Sequence, residues 1–184
     1  MTARIVLLNG VGSAGKSSIA RQIQAQARDV FLHVPMDAWL DMMPQRTLGT
    51  PAGLTFETVE QDGAPSVIVT SGPELERTLR GMRHAVAAMA AQGCNMVVDD
   101  VIFDAAVMDE YRAFLAAHDL RTVGVFAPLD VLEARERARG DRAIGLARGQ
   151  FGMVHRGVVY DLAIDTGRAS PEACAATIVQ RFGL

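Results

Sequence analysis

The sequence is poor in the devices that stabilise secreted, membrane-spanning or metal-centred chains. Only two cysteines, Cys94 and Cys174, occur in 184 residues. They lie far apart without metal-ligand neighbours, so two reduced structural thiols are expected rather than a disulfide or a zinc site. No apolar run approaches the ~20 residues of a membrane helix; the Ala/Met-rich stretch over 85–91 is flanked by Arg83, His84 and Gln92. The first apolar run, Ile5 to Leu8, is too short for the apolar core of a signal peptide, and a cytoplasmic location is expected. Excess charge is also missing. A formal net charge of -3 leaves no broad attraction for a polyanion, which makes nucleic acid a poor partner. The histidines His33, His84, His118 and His155 show no metal-ligand spacing and read as surface or structural residues. There is no internal repeat and no low-complexity tract.

What the chain does contain is a regular alternation. Ile5 to Leu8, Val30 to Val34, Met96 to Val98, Thr122 to Phe126 and Val158 to Ile164 read as strands, several of them apolar on successive residues. That pattern suits strands covered on both faces. Between them, Lys16 to Arg28, Pro73 to Gln92, Ala105 to His118, Leu129 to Arg139 and Pro171 to Phe182 carry helical spacing. The order βαβα predicts an α/β fold with a mostly parallel sheet and helices on both sides. One stretch breaks the alternation. Leu54 to Val59 and Val67 to Val69 flank an Asp62-Gly63 turn and predict an inserted β-hairpin. Hydrophobic residues at 49% and charged residues at 21% show no shift along the chain, so one domain over 1–184 is expected. A domain of this size buries roughly 70% of its unfolded surface.

The strongest signal follows the first strand. Gly10, Val11, Gly12, Ser13, Ala14, Gly15, Lys16 and Ser17 satisfy G-x-x-x-x-G-K-[ST] at a strand-to-helix junction, the context this phosphate-binding motif requires. Glycines let the backbone wrap phosphate oxygens, and consecutive N–H groups join the positive end of the helix dipole in facing negative charge. Lys16 supplies a cation for the β- and γ-phosphates, and Ser17 a hydroxyl oxygen for Mg²⁺. Nucleotide binding is therefore assigned to Gly10 through Ser18, with ATP and Mg²⁺ as the expected cofactors.

Three further groups bear on chemistry. Asp99 and Asp100 close the apolar strand Met96 to Val98, and because successive strand residues face opposite sides, one of them can serve the metal; Asp99, directly after the apolar run, is the expected one, and Asp100 is assigned to the acceptor side. Asp37 follows the second strand. It either accepts the proton of an attacking hydroxyl or caps a short helix running to Met43. Arg135, Arg137, Arg139 and Arg142 crowd one segment; Arg135 and Arg139 share a helix face, with one able to stack on adenine and the other to reach phosphate. Glu133, Glu136 and Asp141 offer a rival reading of ordinary ion pairs on a solvated face. The need to neutralise a triphosphate favours an Arg-bearing lid over about 135–155.

Together these residues resemble the chloramphenicol phosphotransferase-like proteins, within the nucleoside monophosphate and shikimate kinase group of P-loop folds. The likeness rests on Leu8-Asn9-Gly10 leading to Ser13-Ala14-Gly15-Lys16-Ser17, on Met36-Asp37, Val98-Asp99-Asp100-Val101 and Ala138-Arg139-Gly140-Asp141-Arg142. It extends to Val154-His155-Arg156-Gly157, Tyr160-Asp161 and Asp165-Thr166. The resemblance implies a three-layer P-loop fold with a five-stranded parallel sheet, and ATP-dependent phosphorylation of a primary hydroxyl on chloramphenicol or a related compound. It also implies Asp37 as the base, with Lys16 and Arg139 beside it in catalysis, and Arg135, Arg139 and Arg142 as nucleotide-binding lid arginines. The region from Pro44 to Ser71 matches less clearly, and a stretch of about 37–72 is the expected acceptor side. Met36, Trp39, Leu40, Phe56 and, after the third main strand, Phe103 are candidate walls of an acceptor pocket, with ordinary core packing as the alternative. The acceptor is expected to be a small hydroxylated molecule. A nucleoside or nucleoside monophosphate kinase and a nucleotide-gated binding module remain rival readings.

Overall fold

The computed structural model describes residues 2–140 and 143–184. Its main sheet has five parallel strands: β1 (Arg4–Asn9), β2 (Phe31–Pro35), β5 (Asn95–Asp100), β6 (Asp119–Phe126) and β7 (Leu162–Asp165), in the order β2-β5-β1-β6-β7. The expected α/β architecture is therefore present. β1 sits at the centre, with β5 on one side and β6 on the other, so the chain reverses its winding at the carboxyl end of β1. That crevice is where open α/β sheets hold ligands.

The alternation along β1 sorts the core into two layers. Val6 and Leu8 pack with Ile19 and Ile23 of α1 (Lys16–Gln26) and Ile178 of α7 (Pro171–Phe182). Ile5 and Leu7 face the other way, onto Met82 and Val86 of α3 (Pro73–Ala91) and Met108 of α4 (Ala105–Phe114). Both faces are covered, which is why these strands are apolar on successive residues. Helix starts follow local chemistry: Asp104 Oδ1 accepts from the Ala106 N–H at 2.9 Å, and Ser170 Oγ accepts from the Ala173 N–H at 3.2 Å, each satisfying an otherwise orphaned donor. Pro occupies the first turn of α3 and α7.

The hairpin of β3 (Leu54–Gln61) and β4 (Ala64–Ser71) forms its own antiparallel sheet. Asp62 and Gly63 turn it with φ of 53° and 74°, the paired positive values of a tight hairpin turn. The remaining helices are α2 (Met36–Asp41), α5 (Leu129–Arg139) and α6 (Leu146–Phe151). No separate sequence signal announced α6, and it joins two regions that looked independent. Its Gly149 lies so close to β4 that a Cβ there would stand 1.9 Å from the Val67 carbonyl oxygen. The Val67 N–H donates to the Gly145 oxygen at 2.9 Å. The stretch of about 135–155 is thus fastened to the hairpin.

Some expected boundaries shift. The last strand begins at Leu162, not Val158, because the Asp161 carboxylate takes the Thr122 N–H at 2.7 Å and its hydroxyl at 2.9 Å, diverting that part of the edge from ladder pairing. α4 stops at Phe114 rather than His118; Asp119 already pairs with Ala3, which starts β6 earlier than expected. Among the described residues no helix is long and apolar enough to cross a membrane.

Candidate active site

β1 ends at Asn9, and the next six residues turn back to begin α1 at Lys16. Gly15, at φ 92°, adopts a left-handed conformation that an L side chain resists, at the point where the loop enters the helix. Ser13 also has a positive φ, 63°, and its Oγ is buried without a hydrogen-bond partner. An unpartnered buried hydroxyl in such a loop fits an anion-binding cradle. Lys16 Nζ donates to the carbonyl oxygens of Gly10 at 2.9 Å and Val11 at 3.1 Å, and stands 3.9 Å from Asp99 Oδ1.

Ser17 Oγ donates to Asp99 Oδ2 at 2.6 Å, and His33 Nε2 lies 3.4 Å from the same oxygen. Burial pushes the Asp99 carboxyl up, but His33, Lys16 and Ser17 together outweigh it and hold its pKa below the ordinary value. Asp99 is therefore a fixed anion at the mouth of β5. Asp100 points the other way. It accepts the Tyr111 O–H at 2.9 Å and the Val101 N–H at 2.7 Å, while its burial drives the pKa upward. The alternation of strand side chains accounts for both orientations, and of the two aspartates only Asp99 faces the loop.

These groups open into a cavity of about 550 Å³. Its walls bring together Gly12, Ser13, Lys16 and Ser17 from the loop, Met36 and Asp37 from α2, Asp99 from β5 and Arg139 from the end of α5. Asp37 is in the first turn of α2, whose N-cap is Pro35, so it does not serve as the cap. Arg135 takes a different position. Its guanidinium donates to Thr166 Oγ1 at 2.9 Å and to the Thr166 carbonyl at 2.7 Å, and Thr166 Oγ1 in turn bonds the Ala14 oxygen at 2.9 Å. Arg135 thus braces the segment after β7 against the loop between β1 and α1. Arg142 lies outside the described residues.

A second cavity of about 650 Å³ adjoins the first through Val101 and contains Asp100 and Phe103. Trp39 and Leu40 line neither cavity. Trp39 packs on the layer around Ile5, and Leu40 joins Met43, Leu54 and Leu75, because α2 must bury one face to stay folded. Phe56 is 51% exposed on the hairpin.

Sequence reasoning missed several neighbours. Gln150 of α6 accepts the Gly12 N–H through Oε1 at 2.7 Å, and the buried Glu136 carboxylate accepts the N–H groups of Gly145 and Ala147 at 2.8 and 2.7 Å. Arg148 reaches Glu133 at 2.6 Å, so α6 is tied to α5 as well. Arg21 and Asp41 line the first cavity alongside His33. His33 carried one usable signal: it pairs in register with Val97, two residues before Asp99, and so shares that carboxylate's side of the sheet. His155 lies instead among supporting groups. Its Nδ1 is 2.8 Å from the Tyr160 hydroxyl, its ring stacks on Phe126 at 3.9 Å, and Asn9 Nδ2 donates to the same Tyr160 oxygen at 2.7 Å.

A cradle of this kind occurs in many nucleotide-binding proteins, and comparison with known proteins narrows it. The family model of the chloramphenicol phosphotransferase-like proteins matches residues 3–183. The chain belongs to that family. The chain is similar to a protein of Mycobacterium tuberculosis named "Putative O-phosphotransferase Rv2636", 32% identical over 169 residues that cover 89% of this chain and 75% of the relative. Among solved structures it resembles the Mycobacterium tuberculosis APS kinase CysC in complex with AMPPNP and APS, with a TM-score of 0.69 and 18% identity over 100% of this chain and 99% of that one. A sugar kinase from Janibacter is similar at a TM-score of 0.68 and 17% identity, covering 98% and 95% of the two chains. These likenesses establish a P-loop kinase fold and membership of a family of kinase-like O-phosphotransferases.

Proposed function

We propose that this chain transfers the γ-phosphoryl group of ATP to a hydroxyl of a small molecule, with chloramphenicol or a chloramphenicol-like compound as the first acceptor to test. The observation that carries this reading is the convergence of Lys16, Ser17, Asp99, Asp37 and Arg139 on one cavity. A phosphate cradle, a fixed carboxylate, a second carboxylate and a guanidinium are the parts that in-line phosphoryl transfer uses.

The donor set fits Mg²⁺. Ser17 commits its proton to Asp99 and keeps its lone pairs for a cation, and both groups present hard oxygen. Among the described residues no group of three or more His, Cys, Asp or Glu could hold a metal by itself; this suits an ion bound mostly through phosphates and water. Ser17 and Asp99 would hold it, and when bound it neutralises charge on the phosphate oxygens.

In the reaction Asp37 takes the proton of the acceptor hydroxyl as that oxygen attacks the γ-phosphorus. The bond to the β–γ bridging oxygen breaks, ADP leaves, and the acceptor becomes a phosphate monoester. Lys16 and Arg139 spread the charge of the transferring group. Residues of about 135–155 act as the lid and those of about 37–72 as the acceptor side, with the cavity around Phe103 available for an apolar part of the acceptor.

The test is a mass-shift screen for ATP-dependent phosphate addition across hydroxylated compounds, chloramphenicol and nucleosides included. Asp37→Asn should abolish product formation and leave ATP affinity within a few-fold. A screen with no phosphorylated acceptor, or an Asp37→Asn protein that no longer binds ATP, would refute the proposal.

A further inference from the structure

His33 lines the first cavity without a task in the reaction just described. His33 sits on β2 with 15% of its side chain exposed, and its Nε2 is 3.4 Å from Asp99 Oδ2. The same oxygen receives the Ser17 proton at 2.6 Å, while Lys16 Nζ stands 3.9 Å from the other oxygen. Asp99 is thus approached from α1 by two groups and from β2 by one.

The arrangement matters because the carboxylate has a competing partner. An almost buried anion beside an ammonium group is drawn into direct contact with it, and the attraction grows as water is excluded. Contact between Asp99 and Lys16 would turn the carboxylate away from Ser17, where a cation would need it. A donor on the opposite wall resists that movement. The Nε2–H tautomer of a neutral imidazole is sufficient for this, since the other ring nitrogen is not required.

We propose that His33 is a positioning residue for the cation–nucleotide site: its Nε2–H holds Asp99 Oδ2 beside Ser17, keeping the carboxylate available to a divalent cation. This rests on the phosphotransferase reading, because the cation arrives with the nucleotide. It goes beyond that reading by giving a role to a β2 residue outside the phosphate-binding motif. The physical content is narrow. His33 contributes only when a cation is present, so its removal weakens one of two measurable affinities.

The experiment is calorimetry of AMPPNP binding to the full chain, once with excess Mg²⁺ and once with EDTA, supported by Mn²⁺ titration followed by electron paramagnetic resonance. His33→Phe keeps a ring of similar size without the donor, and His33→Gln places an amide N–H near the position of Nε2. His33→Phe should lose about tenfold in Mg²⁺-dependent affinity, the effect of one hydrogen bond to a charged group, with EDTA-condition affinity within twofold of wild type. His33→Gln should recover most of the loss, and Mn²⁺ affinity of the nucleotide complex should follow the same order. Circular dichroism spectra and melting temperatures matched to wild type identify the folded variants. If His33→Phe does not fold, His33→Leu against His33→Gln decides the same question.

Equal Mg²⁺ dependence in wild type and the donor-less variant overturns the inference and leaves the kinase reading standing. An equal loss with and without metal also overturns it, since that is the mark of a residue that only supports the loop. A wild-type protein that binds no nucleotide under either condition removes both the inference and the reading beneath it.

Discussion

Replacing Glu136 by glutamine should destabilise the protein by about 2–3 kcal/mol, although the two side chains have nearly the same shape. The Glu136 side chain is 2% exposed, and each carboxylate oxygen accepts one backbone N–H, from Gly145 at 2.8 Å and Ala147 at 2.7 Å. These amides belong to the start of α6, where no intrahelical acceptor exists for them. Glutamine can keep one of the bonds through its oxygen, but its NH₂ group then faces the other N–H. One buried donor is left without an acceptor, which costs about 1–3 kcal/mol, and the surviving bond loses its charge assistance. For a chain of this length each kcal/mol moves the melting temperature by roughly 2–4 °C, so a drop of about 4–12 °C is expected. Thermal unfolding followed by circular dichroism, repeated with urea at fixed protein concentration, measures it. Because α6 also carries Gln150, whose side chain holds the Gly12 N–H at 2.7 Å, the variant should bind nucleotide more weakly as well. A melting temperature within 1 °C of wild type would refute the reasoning, since it would mean that the two amides find water or another acceptor at no cost.

Gly149→Ala should be among the most damaging small substitutions in the chain: its methyl would meet the Val67 oxygen at 1.9 Å, so α6 and the hairpin must separate, and limited proteolysis should cut the 54–71 region far faster than in wild type. Protection equal to wild type would show that the contact is not required. Burial, with Lys16 adding to it, holds the His155 pKa below its ordinary value. The unfolded chain therefore binds more protons than the folded one in the window from about pH 6.5 down to that lowered pKa. Stability from this residue is complete above the window and is lost as pH falls through it. The urea midpoint of wild type should fall between pH 7.5 and 5.5 more steeply than that of His155→Gln, and parallel slopes would contradict the assignment.

Much of the first cavity's lining could be read directly from neighbouring residues. The loop from Gly10 to Ser17 declares itself because its function uses backbone amides, a left-handed glycine and one lysine, all fixed by local spacing. The parallel sheet is legible for a related reason: strands buried on both faces must be apolar on successive residues, as β1 and β5 are. Asp37 and Asp99 are similarly exposed to inference by their places at strand ends. The hairpin is legible from Asp62-Gly63, since few other sequences turn so tightly.

Long-range packing, by contrast, left little trace in local pattern. The run from Glu133 to Arg142 is dense in charge, and nothing within it separates Glu136, which goes inside to hold α6, from Glu133, which pairs with Arg148. Nor does the run reveal that Arg135 ends on Thr166 while Arg139, one helical turn later, reaches the cavity. His33 reads as an ordinary histidine until its pairing with Val97 puts it on the same side of the sheet as Asp99. The amino-acid sequence by itself determined the sheet, the phosphate cradle and the sign of charge around it, because backbone geometry and residue periodicity act over a few neighbours. Tertiary structure alone decided how α6 links hairpin to loop and which arginine meets the cavity. Those outcomes depend on contacts between segments many residues apart, where burial and the satisfaction of each polar group are settled jointly.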